Sequence, residues 1–229
     1  MIFRKFACVL LALVFTIPVL ADGGDDERNH VLVTLNNGTV VDGYVCQYWF
    51  DGKMFRKPNR KFKMSSVPGG KDIKEYTADE VKTIEFVKRG KDGAYYGRLE
   101  SHEVANPSVF KPGKSVRQFV YVESQTPVGI IYWWNGLDSQ RMQLGQIGVS
   151  TIYGVRLEGD EKVIPFMTGN VISLNAMRIL YKKKDPGFVD YVDAKILRGG
   201  RKLWDAIAAN PSLFLDICGS YVPKGGKKQ

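Results

Sequence analysis

Between Tyr48 and Lys63 the chain sets six cations, Lys53, Arg56, Lys57, Arg60, Lys61 and Lys63, against one acid, Asp51. Trp49, Phe50, Phe55 and Phe62 interleave with them. Cations attract phosphate or carboxylate, and aromatic faces stack on bases or sugars. The stretch therefore predicts a ligand-facing hairpin for something anionic, with Trp49, Lys53, Arg56, Lys57, Arg60 and Lys61 as its contacts. The same pattern also describes a solvated hairpin whose aromatics face a core. Tyr132-Trp133-Trp134 is a second aromatic group. Strand alternation puts Trp133 on one face and Tyr132 and Trp134 on the other; one face is core, and the other is either a platform for glycan or protein or core as well.

Catalytic patterns are missing from the sequence. No Gly-x-Ser-x-Gly elbow occurs, and Gly145, Gly148 and Gly154 are not followed by Gly-Lys-Ser/Thr. Ser101-His102-Glu103 holds three triad residue types in a row, but neighbours on an extended chain point to opposite faces and cannot relay a proton. Asp190 and Asp193 share a helical face, as surface acids that solvate a helix do. There is no Cys-x-x-Cys, His-Glu-x-x-His or calcium-loop pattern, so neither a metal nor a cofactor is expected. Cys46 and Cys218 read as small hydrophobes rather than a disulfide.

The elements that must position these residues begin with a secretory leader. Arg4 and Lys5 precede an apolar run from Phe6 to Ile17, and Pro18-Val19-Leu20-Ala21 supplies the cleavage region. The run is too short to span a bilayer. Cleavage is predicted after Ala21, leaving an acidic arm at 22–29 and placing the mature protein in the periplasm or outside the cell. The remaining elements follow in order. Val31, Val33 and Leu35 alternate as a strand, and Asn37-Gly38 predicts a tight type I′ hairpin turn. Further strands run to Lys88, with Gly43 as a bend and Thr77-Ala78-Asp79-Glu80 as a capped turn. Arg89-Gly90-Lys91-Asp92-Gly93 marks a domain boundary. An antiparallel sheet is expected over 94–170 and about four short helices over 171–222, with Asp185-Pro186 and Asn210-Pro211 opening two of them. Residues 223–229 form a basic tail.

The runs Val33-Thr34-Leu35-Asn36-Asn37-Gly38-Thr39-Val40-Val41-Asp42-Gly43 and Tyr76-Thr77-Ala78-Asp79-Glu80-Val81-Lys82-Thr83-Ile84-Glu85-Phe86 resemble the opening hairpin and closing strand of SH3-like and Sm-like small barrels. They also resemble a segment of exported bacterial proteins of unknown function. The resemblance covers residues 30–89 and implies a fold rather than an activity. The expected class is α+β: an N-terminal SH3-like small β-barrel, then an antiparallel sheet with a C-terminal helical cluster.

The chain has 33 Lys plus Arg against 24 Asp plus Glu, a formal charge of +9, and loss of the leader lowers it by two. This favours anionic partners. For an exported protein that means an envelope component, a glycan or a protein rather than nucleic acid. The expected function is non-enzymatic binding at the cell envelope. The alternatives are a hydrolase with a site drawn from scattered residues and a structural subunit of an envelope assembly.

Overall fold

The computed structural model describes residues 29–46, 60–87, 97–105, 115–137 and 149–223. The leader, the arm up to residue 28, Trp49, Lys53, Arg56, Lys57 and the boundary segment lie outside them.

Eleven strands form one sheet. In chain order they are β1 (His30–Leu35), β2 (Val40–Val45), β3 (Lys61–Ser65), β4 (Lys74–Thr77), β5 (Val81–Phe86), β6 (Arg98–Ala105), β7 (Ser115–Thr126), β8 (Gly129–Leu137), β9 (Val149–Leu157), β10 (Lys162–Thr168) and β11 (Val171–Ile172). Their lateral order is β11-β10-β9-β8-β7-β6-β5-β1-β2-β3-β4. Three helices follow: α1 (Asn175–Tyr181), α2 (Pro186–Ala209) and α3 (Leu213–Gly219).

This corrects the expected fold class. The N-terminal strands are not a separate small barrel, because β5 pairs with β6 through Thr83 to Glu100, Ile84 to Leu99 and Glu85 to Arg98. The sheet thus runs past the expected boundary. The N-terminal core also crosses it: Val31, Val33, Phe62, Met64, Tyr76 and Ile84 pack with Leu99, Phe119 and Tyr121. Phe62 meets Phe119 edge-on, with ring centroids 5.6 Å apart. The hydrophobic pattern of β1 to β5 identifies an inward face but not the partner that covers it.

One strand joins the two halves. β6 offers residues 98–100 to β5 and, further along the same chain, Glu103 and Val104 to β10 in parallel. That second pairing closes β6, β7, β8, β9 and β10 into a ring around Val104, Val120, Tyr132, Trp134 and Val163. Gly154 on β9 makes room there, since a Cβ at that position would fall 2.6 Å from Val163 and 2.9 Å from the Trp134 ring. The outer face of β8 to β10, through Ile131, Val155, Ile164 and Phe166, packs against the helices. Phe166 stacks on Phe214 of α3 at 4.0 Å.

Among the described residues three helices are counted rather than four: the second and third apolar stripes lie on two limbs of α2, which meet at the non-helical backbone of Gly200. The start of α2 follows its sequence. Asp185 accepts a hydrogen bond from the Phe188 N–H at 3.2 Å, and Pro186 occupies the first turn, where its missing N–H costs nothing. The β1–β2 turn differs from expectation. Only Gly38 has positive φ, at 85°, and the Leu35 N–H donates to the Thr39 carbonyl. Asn36, Asn37 and Gly38 therefore make a three-residue turn with a single left-handed glycine, not type I′. Gly43 keeps regular pairing with Val31. It permits close approach of β3, where a Cβ would fall 2.2 Å from the Met64 side chain.

Candidate functional site

Alternation along β6 turns Arg98, Glu100, His102 and Val104 to one side of the strand, where Glu100, His102 and Val104 sit beside Tyr132 and Arg98 stays exposed. The register sets Glu100 opposite Val120 and His102 opposite Gln118 on β7. Tyr132 enters from β8 with its ring fully buried. Its hydroxyl donates to Glu100 Oε2 at 2.7 Å. His102 Nε2 lies 2.6 Å from the same oxygen and 3.0 Å from the Tyr132 hydroxyl. Arg98 donates to the other oxygen, Oε1, at 2.5 Å. The Arg156 guanidinium lies over the Tyr132 ring at 5.9 Å.

The side chain of Glu100 is only 8 % exposed. Burial acts to raise its pKa, but the His102 and Tyr132 hydrogen bonds and the charges of Arg98 and His102 outweigh it and hold the carboxyl near 2. Burial, followed by the hydrogen bond and charge of Glu100, pushes the Tyr132 hydroxyl well above its ordinary range. Both carboxylate oxygens are therefore engaged by the protein itself. A base held near 2 is a weak proton acceptor at neutral pH, so Glu100 suits charge pairing better than general base chemistry. Sequence reasoning missed this cluster. Its signal was the i, i+2 row of Arg98, Glu100 and His102, while Tyr132 joins only through the register of three strands.

Ser101-His102-Glu103 diverges as alternation requires. Ser101 bonds the Ala78 carbonyl, His102 meets Glu100, and Glu103 lies 3.6 Å from Arg117. Cys46 and Cys218 are free thiols. Cys46 sits 3.5 Å from Ser65 Oγ, and burial pushes the Cys218 thiol up to about 12, which leaves it unreactive. Asp193 pairs with Arg178, and Asp190 is exposed.

The aromatic pair of β8 does not form one exposed platform. Trp134 is buried in the ring core, and Trp133 stacks on Tyr121 at 4.1 Å against the N-terminal core. Trp133 is half-buried on the outer face of β8, which packs on the N-terminal core there and, through Ile131, on the helices. Of the basic hairpin, Arg60, Lys61 and Lys63 are described, and all are exposed. Lys61 donates to Glu75 at 3.0 Å. Phe62 and Met64 alternate with these cations and are buried. Lys71 and Lys74 on the β3–β4 side are also exposed. Over residues 60–75 the acids are Asp72 and Glu75. Asp72 is held by the Ser66 N–H at 3.0 Å and Glu75 by Lys61. Among the described residues no ion pair involves Arg60, Lys63 or Lys71.

A surface hollow of 260 Å³ is lined by Asp160, Lys162, Tyr181 and Lys184. Of its two acids, Asp160 and Glu161, Asp160 is taken up internally, accepting from Tyr181 at 2.6 Å and from Lys184 at 2.8 Å. Among the described residues no group of three or more His, Cys, Asp or Glu side chains is arranged to hold a metal. No helix among them is long and apolar enough to cross a membrane. No protein-family model matches the chain, and neither a curated protein nor a solved structure shows significant similarity to it.

Proposed function

We propose that this chain is an exported, non-enzymatic binding protein of the cell envelope, whose basic β3 side engages an anionic ligand such as an acidic glycan or an acidic protein surface. One observation carries the reading. β3 sends Phe62 and Met64 into the core and leaves Arg60, Lys61 and Lys63 as what it offers solvent, beside β4 at the end of the sheet. Asp72 is held by the Ser66 N–H and Glu75 is paired with Lys61, so among the described residues Arg60 and Lys63 keep their charge without a local acid. Lys53, Arg56 and Lys57 continue the same charge in sequence. The export part of the reading rests on residues 1–21.

Replacing Arg56, Lys57, Arg60 and Lys61 together by Gln tests the proposal. Wild-type protein should be retained on an immobilised anionic polysaccharide, with retention falling as salt rises. The variant should elute early with a flatter salt dependence. Retention equal to wild type rejects the reading. The hydrolase alternative would draw on Glu100, His102 and Tyr132, whose nearest polar atoms bond one another.

A further inference from the structure

At Gly200 helix α2 leaves helical geometry, with φ 58° and ψ −154°, a region essentially open only to glycine. The elbow lies within Lys195-Ile196-Leu197-Arg198-Gly199-Gly200-Arg201-Lys202. Ile196 is in the core, but Leu197 beside it is 75 % exposed, more than any other large apolar side chain among the described residues. Lys195, Arg198, Arg201 and Lys202 surround it in sequence, and all are exposed. Arg201 is held by Asp205 at 2.8 and 3.0 Å, and Lys195 lies over the Tyr191 ring. Among the described residues neither Arg198 nor Lys202 has an ion-pair partner.

The elbow is fixed on both limbs. Leu203 folds back so closely that a Cβ on Gly199 would fall 2.3 Å from it. The Trp204 indole N–H donates to the Asn170 carbonyl at 2.6 Å, tying the second limb to the turn before β11. A hollow of 210 Å³ opens beside Leu197, with buried Ile172, Leu174 and Ile196 at its base, half-buried Trp204 at one side and Asn175, Arg178 and Asp193 in its wall. Asp193 in its wall is already paired with Arg178.

We propose that this elbow is a contact site for an anionic lipid surface, with Leu197 entering the interfacial layer while Arg198 and Lys202 meet headgroup phosphates. An exposed leucine flanked by free cations on a preset turn combines the two terms that hold a protein at an anionic bilayer surface, apolar burial and charge attraction. A small anion has no use for the leucine. A stable protein partner needs a broader apolar patch than this one. Charge complementarity therefore selects an anionic bilayer, and the modest apolar area makes the contact reversible. The surface is distinct from that of β3 and does not depend on the anionic-ligand reading.

Cosedimentation of the full chain with vesicles tests it. Wild type should sediment with phosphatidylcholine vesicles containing phosphatidylglycerol and not with phosphatidylcholine alone. Leu197→Ser should weaken binding about tenfold, and Leu197→Met should keep it. Each of Arg198→Gln and Lys202→Gln should cost about fivefold. Arg60→Gln with Lys61→Gln should leave vesicle binding in place, which separates this contact from the β3 surface. Failure of wild type to bind the mixed vesicles, or full binding by Leu197→Ser, overturns the proposal. So does a wild-type dimer that Leu197→Ser dissolves, since a second copy is then the occupant.

Discussion

Glu100 shows how one buried carboxylate can be held charged. Its pKa near 2 lies below the ordinary 4.5, so the folded state binds its proton less readily than the unfolded chain. The stabilisation is complete above about pH 4.5 and is lost as the pH falls through about 2. A shift of that size corresponds to roughly 3 kcal/mol. Glu100→Gln removes the charge that Arg98 and His102 face and should cost roughly 2–4 kcal/mol at neutral pH. It should also flatten the fall in stability between about pH 4.5 and 2, read from urea unfolding at a series of pH values. An equal acid slope in wild type and variant would show that Glu100 does not carry that dependence. The residues of the cluster were half visible in the sequence. Arg98, Glu100 and His102 share a face by their spacing, but Tyr132 reaches them only because β6, β7 and β8 are aligned, and single-chain periodicity carries no register between strands.

At the scale of the element, local chemistry was read more faithfully than partnership. The Thr77 to Glu80 turn keeps one half of the expected capping pattern: the Glu80 carboxylate accepts from the Thr77 N–H and hydroxyl, while the Glu80 N–H bonds the Thr77 carbonyl and the chain passes into β5 rather than a helix. The Asp185-Pro186 start and the apolar face of Phe188, Val189, Val192 and Ile196 follow expectation. What the stripes left open was whether Gly199-Gly200 ends a helix or bends one. The structure resolves this through Gly200, whose φ of 58° lets the chain turn without leaving the helical layer. Gly200→Ala should destabilise the protein by roughly 1–3 kcal/mol, because a Cβ is strained in that backbone region whatever the space around it. Hydrogen exchange should speed first in residues 201–209. A variant as stable as wild type would mean that the elbow relaxes to another conformation at little cost. The four-helix count differs from the observed three only at this join, where Gly200 separates two helical limbs that run on as one element.

For the whole molecule, the decisive feature is that the N-terminal core borrows from beyond its own segment. Leu99, Phe119 and Tyr121 complete the pocket that Val31, Val33 and Ile84 begin, and each is nearly fully buried. Burying one such side chain is worth roughly 1.5–3 kcal/mol. A fragment of residues 22–93 should therefore lack cooperative unfolding, whereas a chain of residues 22–229 should unfold in one transition by both circular dichroism and fluorescence. An independently folded fragment would restore the two-domain reading. The alternating strands and their inward faces were readable from the sequence, but the resemblance to small barrels stopped at residue 89 and could not reveal the strand across the gap. The shared strand also has a mechanical consequence. A load applied between the two halves of the chain meets β6, which is bonded to β5, β7 and β10 at once, so the seam resists shear as a clamp.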